Sequence, residues 1–181
     1  ANYNVAGKQV VYFGADLFAD NGDAELAFWF FQSEVAPIGV GSGSFSGSHT
    51  DEDVYVAVKF SNGGAVATIT VYEWWTACNK AVKNPGAGDC AADNIRVVIP
   101  EGPALCTGSG GWACAITNTG FENSPWDYIP KGSSLDDDFP PTTFFEGGIN
   151  IFEVFGANKC FASYMVTTGA STSFTSTAKD F

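Results

Sequence analysis

The stretch VYFGADLFADNGDAELAFWFF (residues 11–31) decides the fold class. Its two limbs alternate aromatic or β-branched residues with small or polar ones, the two-residue period of a pleated strand. Between them, Asp20-Asn21-Gly22-Asp23 carries the Asn-Gly signal of a tight turn. The return limb, residues 25–32, is nearly all apolar, which predicts a strand buried on both faces or central in its sheet. A second motif, FFEGGINI (residues 144–151), repeats the pairing of aromatics with a glycine turn and is followed by Cys160-Phe161-Ala162-Ser163-Tyr164.

The same period runs through the rest of the chain. Residues 53–60 predict a strand with Val54, Val56, Val58 and Phe60 on one face and Tyr55, Ala57 and Lys59 on the other. Ser61-Asn62-Gly63-Gly64 turns the chain, and residues 66–75 pair back. Residues 8–14, 95–99, 112–117, 149–155, 160–167 and 171–178 supply further strands, while 35–48, 76–93, 103–111 and 120–141 read as loops. Pro125, Pro130, Pro140 and Pro141 exclude a long helix from the last of these loops. The expected fold is all-β, an antiparallel β-sandwich or jelly roll with long Gly/Pro/Cys-rich loops, as a single extracellular domain spanning residues 1–181. No internal repeat points to a solenoid or propeller.

Twenty acidic residues against eight basic ones give a net charge of −12. Such a chain repels nucleic-acid phosphates and anionic membranes, and no apolar run is long enough to cross a bilayer. Cations are the natural partners, although acidity also serves solubility alone. Sixteen Phe and five Trp supply ample core area. The cysteines at 78, 90, 106, 114 and 160 form no C-x-x-C, and His49, the single histidine, is remote from them, so zinc is disfavoured. Disulfides in an oxidising compartment fit better. Loop lengths favour Cys78–Cys90 and Cys106–Cys114, leaving Cys160 as an inert buried thiol in an apolar strand. The chain opens on Ala, without a signal peptide, and reads as a mature or excised segment; it has no N-glycosylation sequon.

Asp16, Asp20, Asn21, Asp23 and Glu25 concentrate hard oxygen donors of the kind Ca²⁺ takes in sixes to eights. The spacing is not that of an EF-hand, so a calcium site at Asp16, Asp20, Asn21 and Asp23 needs help from a second loop, from Asp51, Glu52 or Asp53 at the start of another strand. The competing reading is a solvated acidic turn, and the run Asp136–Asp138 reads the same way. Trp74, Trp75, Trp112, Trp126 and Tyr128 are aromatics able to stack on sugars, and Trp74, Trp75, Trp126 and Tyr128 form the expected ligand-binding set. Glycoside hydrolysis would pair Glu73 with Glu34, Glu146 or Glu153, but no pair stands out. His49 has Ser46 and Ser48 beside it but no G-x-S-x-G elbow. No catalytic residue is assigned, and the chain is not expected to be an enzyme.

The order Tyr12–Asp16, Asn21–Asp23, Phe28–Gln32, Asp53–Gly64, Pro125–Pro130, Phe144–Asn150, Cys160–Ser163 and Lys179–Phe181 covers nearly the whole chain. It resembles a domain near the front of large secreted or surface-anchored bacterial proteins, built on the pattern YFGAD, NGD, FWFFQ, FFEGGIN, CFxS and KDF. The resemblance implies an extracellular, lectin-like (concanavalin-type) β-sandwich used in surface architecture or adhesion. It also implies that family members extend beyond both ends of this segment. Two functions follow as expectations. One is a non-catalytic, secreted or cell-surface module for adhesion or glycan recognition, its rim loops rigidified by calcium. Its partner would be an extracellular glycan or protein. The other is a structural subunit that assembles with copies of itself into a filament or matrix by strand exchange.

Overall fold

A computed structural model describes residues 2–5, 7–17, 24–39, 43–61, 66–104, 112–131, 137–169 and 178–180. In chain order the strands are β1 (Asn2–Val5), β2 (Lys8–Asp16), β3 (Ala24–Phe31), β4 (Ala36–Pro37), β5 (Phe45–Ser46), β6 (Val54–Ser61), β7 (Val66–Trp74), β8 (Cys90–Ala92), β9 (Ile95–Pro103), β10 (Ala113–Thr117), β11 (Glu122–Asn123), β12 (Asp138–Phe139), β13 (Phe144–Asn150), β14 (Ser163–Gly169) and β15 (Ala178–Asp180). A short helix, α1 (Ile151–Phe155), follows β13. The chain is therefore an all-β antiparallel sandwich. Its main sheets run β1-β2-β13-β10 and β15-β14-β3-β6-β7-β9-β8, with two small ribbons, β4-β5 and β11-β12.

Alternation explains the two layers. Leu26, Phe28 and Phe30 on β3, with Val54, Val56, Val58 and Phe60 on β6, face Val11, Phe145 and Ile149 of the smaller sheet across one core. Aromatic rings link the sheets: Phe13 lies 4.6 Å from Phe28, and Phe145 lies 5.9 Å from Phe28 and 5.0 Å from Phe60. Such tilted and edge-on pairs add stability beyond the area they bury. The central position expected for residues 25–32 holds, since β3 lies between β14 and β6.

The outer face of the seven-stranded sheet carries a second cluster, with Ala27, Tyr55, Ala57, Tyr72, Ile95 and Val97 buried. Its cover comes from the chain itself. Residues 76–94 are held to the sheet edge by Gly88 N–H to Val97 O (2.7 Å) and Val97 N–H to Asp89 O (2.9 Å), and are closed by the Cys78–Cys90 disulfide. At the end of the sheet near Trp74, His49 lies flat against the Trp74 ring at 4.0 Å.

Three sequence expectations are corrected. Residues 151–155, expected to be strand, form α1, because Asn150 caps it by accepting from Glu153 N–H and Gly156 closes it in the left-handed conformation at φ 72°. β9 continues past Pro100 to Pro103, irregularly paired with β7, rather than ending at Ile99. Cys160 is exposed rather than buried, because β14 begins only at Ser163 and leaves Cys160 in the connection from α1. The expected strand at 171–178 lies mostly outside the described residues.

Candidate binding face on the four-stranded sheet

Strands β2, β13 and β10 run side by side, with Tyr12 opposite Gly148, Gly14 opposite Glu146, Cys114 opposite Gly148 and Ile116 opposite Glu146. Strand alternation turns Val11, Phe13, Phe145 and Ile149 into the core. It turns Val10, Tyr12, Gly14, Glu146, Gly148 and Ile116 outward. These outward residues, with Trp112 and Asn150, line a cleft of about 660 Å³. A second cleft of about 680 Å³ continues from it, sharing Gly14, Ile116 and Glu146 and ending at Trp126, Phe139 and Phe144. The two form one trough.

The trough is unusually apolar for a solvent-facing sheet. Tyr12 is 50% exposed, Trp112 49%, Ile116 60% and Trp126 57%. Its floor is low because two outward positions are glycines. A Cβ on Gly148 would stand 3.2 Å from the Tyr12 ring, and one on Gly14 would stand 3.0 Å from Phe145 O. Among the described lining residues the charged ones are Glu146 and Glu122. Along β2 the first cleft runs from Val10 to Gly14, about 13 Å at ~3.3 Å per residue, which suits an extended ligand.

The far wall is built by residues 118–131 and 137–144. Asn118 organises it by donating from Nδ2 to Gly120 O (2.7 Å) and Pro140 O (2.7 Å) and accepting from Phe144 N–H (2.9 Å). Phe139 and Phe144 stack at 4.7 Å, and the Trp126 indole meets Phe139 edge-on at 6.1 Å. Tyr128 packs on Phe139 at 4.7 Å, and its backbone N–H donates to Asp137 Oδ1. Burial, reinforced by the neighbouring Asp16 carboxylate, pushes the Tyr128 phenol up to about 12, so it stays protonated at neutral pH.

Of the four expected sugar-stacking aromatics, Trp126 lines this trough and Tyr128 buttresses the wall behind it. Trp74 and Trp75 are elsewhere. His49 covers one face of Trp74, and the Arg96 guanidinium sits 3.6 Å over Trp75 while donating to Glu73 (2.7 Å). Tyr12 and Ile116 were not singled out by sequence, and Glu146 only as a carboxylate. Their common face becomes visible only when β2, β13 and β10 are known to be neighbours, with Tyr12 of β2 opposite Gly148 of β13.

Of the six expected calcium ligands, Asp16, Asp51 and Asp53 lie within the described residues. Glu25 pairs with Lys59 at one end of β3, and Phe30 pairs with Val54 at the other. That separation places Asp53 about 20 Å along the sheet from Glu25, at ~3.4 Å per residue. Asp53 is fully buried and already satisfied: it accepts from Gln32 N–H (2.8 Å), Thr50 N–H (3.0 Å) and pairs with His49 Nδ1 (3.2 Å). Asp51 accepts from Thr76 N–H (2.8 Å) and Thr76 Oγ1 (3.1 Å). Both aspartates brace a loop. Asp16 sits opposite Phe144 in the other sheet, and Asp20, Asn21 and Asp23 lie outside the described residues. Among the described residues no group of three or more metal-ligating side chains converges.

Glu73 is buried in its ion pair with Arg96, Glu153 pairs with Lys8 on the surface, and Glu146 belongs to the other sheet. His49 and Asp53 make a dyad, but its ring is wedged among Trp29, Phe31 and Trp74. Burial there lowers its pKa. The Cys78–Cys90 disulfide forms as expected, and Cys114 is also disulfide-bonded, its expected partner Cys106 lying outside the described residues. No described helix is long and apolar enough to cross a membrane. Comparison with protein-family models, curated proteins and solved structures finds no match.

Proposed function

We propose that this chain is a non-catalytic, secreted or cell-surface adhesion module that binds a neutral oligosaccharide along the outer face of its four-stranded sheet. One observation carries the reading. Tyr12, Trp112 and Trp126 stand half-exposed along a single trough with a carboxylate, Glu146, in its middle. A pyranose ring has an apolar C–H face and a rim of hydroxyls. Aromatic rings suit the first, and a carboxylate accepting from neighbouring hydroxyls suits the second. Glycines at 14 and 148 let a ring approach the backbone. Glu146 and Glu122, within a chain of net charge −12, disfavour sialylated or sulfated glycans. The disulfide supports an oxidising, extracellular setting, as does the resemblance to domains of bacterial surface proteins.

The test is a glycan array followed by calorimetry. Neutral oligosaccharides should bind, and Trp112→Ala and Trp126→Ala should each weaken binding while leaving the melting temperature unchanged. The reading fails if wild type shows no binding above the Trp112→Ala background, or if only anionic glycans bind.

A further inference from the structure

The two clefts on the four-stranded sheet follow one direction, that of the strands. Level by level, Val10 of β2 lies opposite Asn150 of β13, Tyr12 opposite Gly148, Gly14 opposite Glu146 and Asp16 opposite Phe144. Trp112 stands at the first of these levels, its carbonyl accepting from Asn150 N–H at 2.7 Å. Asn118 stands at the last, its backbone N–H donating to Phe144 O at 3.0 Å. From Trp112 to Asn118 the strand rises about 20 Å at ~3.3 Å per residue. Trp126 stands at that far end, edge-on to Phe139, which stacks on Phe144. The two half-exposed indoles therefore sit at opposite ends of one trough. A disaccharide is too short to touch both.

Both ends are held in place before any ligand arrives. The Asn150 amide pins Trp112. The Trp126 carbonyl accepts from Ser124 Oγ at 2.7 Å, and Ser124 N–H in turn donates to Asp137 O at 2.6 Å. Rings fixed in advance cost a ligand little ordering. Polar side chains are spread along the same length, with Asn150 at one end, Glu146 between and Asn123 with Glu122 at the other. The low floor at Gly148 and Gly14 follows the strands, so a chain lying on it must be extended and flat. The charged side chains among the described lining residues are Glu146 and Glu122. A second copy would bring a net charge of −12 against them, whereas an uncharged chain meets no such repulsion.

We propose that the trough takes a linear, β-linked neutral polysaccharide, one chain lying along the strands and touching Trp112 and Trp126 together. This rests on the glycan reading above and narrows it to a polymer. Calorimetry would titrate intact protein with cello-, β-manno- and chito-oligosaccharides from disaccharide to hexasaccharide. Maltohexaose, the same glucose units joined through α links into a coiling chain, is the shape control. In at least one β-linked series the hexasaccharide should bind at least roughly tenfold tighter than the disaccharide, and maltohexaose at least roughly tenfold weaker than that hexasaccharide. Trp112→Ala and Trp126→Ala should each weaken the hexasaccharide by about fivefold or more, and the double variant should level the series. A disaccharide as tight as the hexasaccharide, maltohexaose equal to it, or either single replacement leaving it unchanged overturns the polymer while the neutral-glycan reading stands. If no neutral oligosaccharide binds, both fall, and dimers that Trp112→Ala disperses would then give the trough to a second copy.

Discussion

Gly147 and Gly148 are adjacent on β13 and face opposite ways, so one methyl group at each position reports on a different side of the sheet. A Cβ on Gly147 would stand 2.5 Å from Phe13 Cε2 and 2.8 Å from Cys114 O. Phe13 has little room to retreat, because it packs 4.6 Å from Phe28 and 6.5 Å from Phe30. Overpacking of this kind costs about 1–3 kcal/mol, and contact with both a core ring and a backbone oxygen places Gly147→Ala at the upper end. The stiffer unfolded chain returns roughly 0.4–1 kcal/mol. The net is a loss of about 2 kcal/mol, or some 4–8 °C at ~2–4 °C per kcal/mol for a domain of this size. At Gly148 the added Cβ would stand 3.2 Å from the rim of the half-exposed Tyr12 ring and at an ordinary 3.6 Å from Val11 O. Gly148→Ala should therefore change stability by less than about 0.5 kcal/mol while raising the trough floor and weakening oligosaccharide binding. Thermal and urea denaturation of the two variants decides the matter. Equal melting temperatures, or a lower one for Gly148→Ala, would refute the assigned facing of β13 and with it the trough.

Asp53→Ala should destabilise by about 3–4 kcal/mol, because the Gln32 and Thr50 amides lose a buried acceptor at roughly 1–3 kcal/mol each. Urea titrations with and without chelator should give the same loss, and a loss present only with calcium would restore Asp53 as a metal ligand. Glu25→Gln should track pH. The folded pKa of Glu25 is raised above 4.5, so its contribution to stability is full below 4.5 and lost as pH rises through the folded value. The variant's advantage should accordingly be absent in acid and grow toward neutrality, and a constant difference across that range would contradict the burial of this carboxylate. Reduction of Cys78–Cys90, which closes a loop of sequence separation 12, should lower stability by about 3 kcal/mol on the chain-entropy account. Hydrogen exchange should then show residues 76–94 opening before the sheet does.

Where alternation ran unbroken, the residues announced their own placement. Val54, Val56, Val58 and Phe60 face the core and Tyr55 and Ala57 the outer cluster, because a period-two pattern in a half-buried strand admits one facing. The Cys78–Cys90 pair was legible for a similar reason: it closes a short, turn-rich loop. Residues 151–155 were misread because Ile151, Phe152, Val154 and Phe155 are apolar in either conformation. The outcome rests on one Asn150 cap and one left-handed Gly156, signals weaker than the hydrophobic run they interrupt. The binding face was illegible for a deeper reason. Tyr12, Trp112, Ile116 and Glu146 meet only through long-range pairing of β2, β13 and β10, which no local pattern encodes.

The two outer faces of the sandwich are treated differently, and the difference bears on function. On the seven-stranded sheet the chain spends two of its own segments as cover, residues 45–53 with the His49 wedge and residues 76–94 with their disulfide. Beneath them Tyr55, Tyr72, Ile95 and Val97 are buried. On the four-stranded sheet no described segment covers Tyr12, Trp112 and Ile116, although rings of the same kind stand there. Exposed aromatic clusters of this sort promote association, and a net charge of −12 opposes it by mutual repulsion between molecules. Repulsion of that kind discourages self-contact without hindering an uncharged ligand. An acidic body with an aromatic trough that no described segment covers therefore supports the proposed neutral glycan over self-assembly, and raising the ionic strength should promote self-association while leaving oligosaccharide affinity nearly unchanged.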